Sequence, residues 1–294
     1  MVNLAMIQFQ IRRKFLKRIK YLILCMVVLL LMGCSLTKDD LEGATIYTTI
    51  YPINYITNYL YSEYGTISSI YPIDSDPSTY KLNDKQYKNY SKGNLFIYNG
   101  LSNEKQIAKE LLNKNGNLLI IDVTYGLDNS NTETDLWINP NNYLIVAKNI
   151  KTNLQENLKS KYIIESIEKK YAEFEEKISL IDARLHNLAK EANNKNRVIV
   201  VADKSFLFLQ HYGFSVIDLS DSNIKKNNRL DNIKNNFKTS KYKYILAIEG
   251  QENNELVESL KGTVLTNKEF NGKDEKDYFN YMTNFVNQIE TIVS

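Results

Sequence analysis

Cysteine, histidine and tryptophan are scarce in this 294-residue chain, which holds two, two and one of them. Both cysteines, Cys25 and Cys34, fall near the start, so nothing after Cys34 can contain an internal disulfide. The histidines, His186 and His211, sit on helical stretches away from the loops that end the strands, which leaves a Ser-His-Asp arrangement without its base. His-x-x-x-His, Cys-x-x-Cys, Gly-x-Ser-x-Gly and a glycine-rich phosphate loop are all missing. A lone Trp137 makes no aromatic platform for a sugar beside a carboxylate pair. These absences argue against an enzyme. There is also no internal repeat, no low-complexity tail, and no apolar run beyond the first 33 residues long enough to cross a bilayer.

What the chain does have begins at its first residues. Arg12, Arg13, Lys14, Lys17, Arg18 and Lys20 precede an uncharged stretch, Tyr21 to Met32, which runs into Gly33-Cys34. A basic segment, a short apolar segment and a small residue before a cysteine form a bacterial lipoprotein export signal. As a helix the apolar stretch would rise only about 18 Å, short of a hydrocarbon core of about 30 Å. Cys34 is therefore the expected lipid attachment site, with Cys25 lacking the small-residue context. The expected organisation is a signal peptide over 1–33, a tether over 34–43, an N-terminal α/β lobe over 44–158, a connecting helix over 159–194 and a C-terminal α/β lobe over 195–294.

Charge narrows the partners. The full chain is formally +3, yet six of its 37 basic residues and none of its 34 acidic ones precede Cys34, which leaves the remaining 261 residues at about −3. The basicity belongs to the export signal and gives no footprint for nucleic acid.

From Ala44 onward, brief apolar runs alternate with amphipathic ones: strands at Ala44–Ile50, Thr66–Tyr71, Leu95–Tyr98 and Leu118–Val123, with helices between them. The alternation resumes at Val198–Ala202 and continues through Phe214–Leu219, Tyr244–Ile248 and Thr263–Leu265 to a closing helix over Asp277–Ile292. This is the pattern of mostly parallel sheets covered by helices. Between the two series, Lys159 to Lys190 carries Ile163, Ile167, Tyr171, Phe174, Ile178, Ile181 and Leu185 at steps of three or four, one apolar stripe on a rod of about 48 Å. The fold class is α/β: two lobes joined by a long helix, with a cleft between them. Ligands in such sheets meet loops at the C-terminal strand ends, so interest falls after Tyr71, Val123, Val201 and Leu265.

At these loops the chain resembles the solute-binding proteins of zinc and manganese ABC transporters, a group that includes adhesin-like lipoproteins. Thr48-Thr49-Ile50-Tyr51-Pro52 is similar to the family's Thr-Thr-x-Tyr-Pro, and Asp76-Pro77-Ser78-Thr79-Tyr80 to its Asp-Pro-His-x-Tyr. Ser91 to Gly100 is similar to the family's segment on the C-terminal side of that loop. The resemblance implies a metal site between the lobes, and its histidines are substituted. The family's first ligand falls on Ser78, the second on Asp135 in Glu133-Thr134-Asp135-Leu136-Trp137, and the third on Asp203. The fourth falls on Lys268 or, shifted by one, Glu269. Asp135, Asp203 and Glu269 could hold an oxygen-preferring ion, whereas Zn²⁺ favours nitrogen and sulfur. Alternatively, the Lys268 ammonium fills the metal's place between Asp135 and Asp203. Structural roles compete for the same residues: Asp76 in a turn, Asp203 as a helix cap, Trp137 packed under its loop.

The expectation is an extracytoplasmic, lipid-anchored, monomeric solute-binding protein that delivers a divalent metal, zinc or manganese, to an ABC permease. The alternative is a non-transporting adhesion or scaffolding lipoprotein with a degenerate metal site. A third reading is a receptor for a non-metal solute.

Overall fold

A computed structural model of the chain describes residues 41–73, 75–127, 136–192, 197–224, 226, 228–250, 254–273 and 275–294. The export signal, Cys34 and Asp135 lie outside the described residues. Among those that are described, no helix is long and apolar enough to cross a membrane.

Two four-stranded sheets, all parallel, form the frame. The first is built from β1 (Ala44–Thr48), β2 (Gly65–Ser69), β3 (Leu95–Tyr98) and β4 (Leu119–Asp122) in the order β2-β1-β3-β4. The second uses β5 (Val198–Val201), β6 (Ser215–Asp218), β7 (Tyr244–Ile248) and β8 (Thr263–Asn267) in the order β6-β5-β7-β8. Register is continuous across each sheet; Ile46 pairs with both Ile67 and Leu95, and Leu246 with both Val201 and Leu265. Strands covered on both faces read as unbroken apolar runs, and Leu95-Phe96-Ile97-Tyr98 is buried throughout.

Helices α1 (Tyr51–Tyr61), α2 (Asp84–Tyr90) and α3 (Glu104–Lys114) connect the first four strands. Pro52 opens α1, where its missing N–H and fixed φ cost nothing. Asn83 and Gln86 form a reciprocal capping box at the start of α2. Helix α4 (Pro140–Glu156) follows, and then α5 (Lys161–Glu191), whose 31 residues rise about 46 Å. Ser160 caps α5, and the apolar stripe is its buried face, with Phe174 fully inaccessible. The helix that follows Asp203, over Lys204–Tyr212, is a 3₁₀ helix. Phe206, Leu209 and Tyr212 are all buried, and a spacing of three stacks them on one ridge only in the tighter turn. Helices α6 (Arg229–Lys238), α7 (Glu255–Leu260) and α8 (Tyr278–Val293) complete the second half.

The largest apolar core does not stop at either sheet. It runs from Ile46 and Leu60 through Tyr143 and Phe174 to Phe206, Phe270, Tyr278 and Phe285. Smaller cores lie on the far faces, one around Phe96 and Leu111, the other around Phe237 and Ile245. Polar ties reinforce the junction between the halves: the Tyr278 hydroxyl donates to the Trp137 carbonyl (2.7 Å) and the Tyr55 hydroxyl to Asp277 Oδ2 (3.1 Å), while within the first half the Tyr143 hydroxyl donates to the Pro52 carbonyl (2.7 Å).

Candidate functional site

In each sheet the connections reverse direction between the two central strands, β1 and β3 in one, β5 and β7 in the other. At such a reversal the loops leaving neighbouring strands diverge and open a crevice beyond the strand ends. The two crevices face each other and share one cavity of about 950 Å³. The first half contributes Ile50, Tyr51 and Pro52 after β1, Tyr71–Ile73 and Ser75–Ser78 after β2, and Asn99 and Ser102–Glu104 after β3. The second contributes Asp203 after β5, Ile248 at the end of β7 and Glu249 beyond it, Lys268–Asn271 and Lys273 after β8, and Tyr281 from α8.

Four of the residues singled out from the sequence, Ser78, Asp203, Lys268 and Glu269, line this cavity although they are dispersed along the chain. Asp76 accepts from the Ser78 backbone N–H (2.8 Å) and from its hydroxyl (2.7 Å), which lowers the Asp76 pKa and fixes the turn. Asp203 combines two roles. Its Oδ1 accepts from the Ser205 N–H (2.8 Å) and hydroxyl (2.6 Å), capping the 3₁₀ helix, while the side chain stays at the cavity wall. Lys268 and Glu269 are exposed to the cavity; Glu269 Oε2 accepts from the Asn271 side chain at 3.5 Å. No ion pair joins Lys268 to Asp203 among the described residues. His186 lies over the Tyr212 ring on α5 and His211 is exposed on the 3₁₀ helix, both away from the cavity. Trp137 is half-buried against the main core and also reaches the cavity wall.

Sequence alone presents Glu104 as an ordinary acid at a helix start. Its side chain is instead buried at the cavity wall, with the residue 2 % exposed. Glu104 Oε2 accepts from the Asn99 N–H at 2.8 Å, and the turn between them is closed by Gly100, whose N–H donates to Asp122 Oδ1 (3.1 Å). A Cβ on residue 100 would collide with the Asp122 carboxylate, so only glycine fits there. Burial, offset in part by the proximity of the Thr49 hydroxyl and by the Asn99 N–H bond and reinforced by the charge of Asp122, raises the Glu104 pKa to about 7. Thr49 lies near enough to influence this carboxyl, yet its buried hydroxyl makes no bond of good geometry. The nearby Tyr71 hydroxyl is also buried without a hydrogen-bond partner. The signal in the sequence is the Asn99-Gly100 turn at a strand's C-terminal end, with an acid that opens a helix shortly after it.

The cavity's electrostatic character is acidic. Asp76, Glu104, Asp203, Glu249 and Glu269 face Lys268 and Lys273, so the described lining favours a cation once Glu104 is ionised. Among the described residues, no three His, Cys, Asp or Glu side chains stand together as a metal-holding group.

Fold and cavity define a two-lobed α/β protein of the solute-binding class, with a cavity between the lobes. The sequence matches the model of the family described as zinc-uptake complex component A, periplasmic, over residues 46–292, and the chain belongs to that family. Solved structures agree in fold. A zinc-bound deletion mutant of ZnuA superposes with a TM-score of 0.67 at 16% identity, covering 86% of this chain and 99% of the other. The metal-dependent lipoprotein YcdH from Bacillus subtilis gives 0.67 at 17% identity, with 84% and 98% covered. The zinc-bound ZnuA-like domain of Streptococcus pneumoniae AdcA gives 0.67 at 18% identity, with 85% and 99% covered. Among curated proteins, none matches the chain by sequence.

Proposed function

We propose that the protein is the extracytoplasmic solute-binding component of a metal-uptake ABC system, tethered to the membrane by lipid on Cys34 and acting as a monomer. It captures a divalent cation between its lobes and presents the loaded form to a separate permease; it performs no chemistry on its cargo. One observation carries this reading: acidic side chains from both halves line a single cavity at the paired strand-end crevices of a zinc-uptake family fold. Asp203 and Glu269 are the described candidates for the cation, with Asp135 proposed as the third and Ser78, also on the cavity wall, as a further cleft residue. A carboxylate and hydroxyl set without imidazole suits an oxygen-preferring ion such as Mn²⁺ better than Zn²⁺. The domain division proposed is 44–158 and 195–294 for the lobes and 159–194 for the connecting helix.

The Lys268 ammonium favours a second reading, since it stands on the wall that would hold the ion. In that case the fold persists as an adhesion or scaffolding lipoprotein whose metal centre has decayed. Calorimetric titration of metal-stripped protein with Mn²⁺ and Zn²⁺ separates the two. The transport reading expects saturable heat at one ion per chain, weakened at least about tenfold in Asp203→Ala/Glu269→Ala, the loss of about 1.4 kcal/mol or more. No heat and no thermal stabilisation from either ion would overturn it.

A further inference from the structure

We propose that Glu104 and Tyr71 form a second subsite in the cavity, on the wall of the first lobe, which takes a positively charged N–H or O–H donor of the bound solute. The donor is either a water carried by a hydrated dication or an organic ammonium group. The inference rests on the cation-binding reading above and specifies where part of the cation's recognition occurs. Both side chains line the cavity, and both residues are more than nine-tenths buried. Glu104 Oε2 is held by the Asn99 N–H, so the carboxyl is fixed in place. The Tyr71 hydroxyl is buried with no partner, and burial together with the nearby Glu104 charge raises its pKa. A buried hydroxyl left unsatisfied costs about 1–3 kcal/mol, so its persistence beside a fixed carboxyl points to a ligand atom that completes the set.

The surroundings support a cation. The groups acting on Glu104 are Asp122 from β4, Thr49 after β1, Asn99 after β3 and Tyr71 after β2, none of them basic. With a pKa near 7, Glu104 is about half protonated at neutral pH. A cation placed against it favours the ionised form, so binding releases the remaining proton to solvent.

Calorimetry of the full-length protein in detergent, in buffers of different ionisation enthalpy, tests this with MnCl₂, ZnCl₂ and 1,4-diaminobutane as probes. The expected result is release of about half a proton per bound cation at pH 7, falling toward zero at pH 9. Glu104→Gln keeps an acceptor for Asn99, and should abolish the release and weaken binding about tenfold. Tyr71→Phe should weaken binding about threefold while melting no lower than wild type, because it deletes an unsatisfied hydroxyl. A purely structural pair would give a different outcome: wild-type affinity in both variants, or a Tyr71→Phe protein that melts lower. Either result overturns the subsite and leaves metal capture standing. Heat from 1,4-diaminobutane that depends on Glu104, with none from either metal, keeps the subsite and overturns metal capture. No heat from any probe overturns both.

Discussion

Glu104 ties stability to pH in a direction opposite to most carboxylates. Its folded-state pKa of about 7 lies above the ordinary value of 4.5, so the native state holds the proton more tightly than the unfolded chain. By linkage, the stabilising contribution is complete below about pH 4.5 and is lost as the pH rises through about 7. At about 1.4 kcal/mol per pH unit of displacement, the loss amounts to about 3 kcal/mol. Glu104→Gln mimics the protonated acid, since one amide atom accepts from Asn99 while the NH₂ group replaces the carboxylic O–H. Urea unfolding of metal-free protein at pH 5, 7 and 8.5 reads the difference between variant and wild type, which removes the contribution of other groups. That difference should be only about 1 kcal/mol at pH 5 and should reach about 3 kcal/mol in favour of the variant at pH 8.5. In thermal melts the same gain corresponds to about 6–12 °C for a domain of this size. A difference independent of pH, or a variant less stable than wild type at pH 8.5, would refute the reasoning.

Other perturbations probe the junction between lobes. Phe174 is fully buried with its ring 5.3–6.1 Å from those of Phe279, Tyr59, Tyr143 and Tyr278, so Phe174→Ala should cost about 3–5 kcal/mol in urea unfolding; a loss below about 1 kcal/mol would show that the core refills the space. Gly272 has φ of +82° and a Cβ there would strike the Tyr51 ring, whose hydroxyl donates to the Lys276 carbonyl (2.9 Å). Gly272→Ala should therefore lower stability by about 1–3 kcal/mol, measured by thermal melting; an unchanged midpoint would refute it.

Much of the frame is legible in the sequence because burial on both faces or on one helical stripe leaves a periodic mark. The β3 run Leu95–Tyr98 and the α5 stripe from Ile163 to Leu185 occur where that periodicity puts them. Candidate residues are harder, since their role depends on which loops converge. Family resemblance brings Ser78, Asp203, Lys268 and Glu269 forward, and they do share a cavity. Glu104 gives no such notice because an acid in a helix's first turn is commonplace and solvated. Only the parallel order β2-β1-β3-β4 reveals that this helix start faces the reversal of the sheet and sinks beneath it. Likewise, the 3₁₀ geometry of residues 204–212 depends on what Phe206, Leu209 and Tyr212 pack against, which local propensity does not encode.

The shared aromatic junction sets the order in which the molecule can be assembled. Tyr143 and Phe174 are made early in translation, yet Tyr278, whose ring packs against both, belongs to α8. A nascent chain that ends before α8 therefore still exposes an apolar seam around these rings. Final consolidation of this core waits for the helix synthesised more than a hundred residues after Phe174.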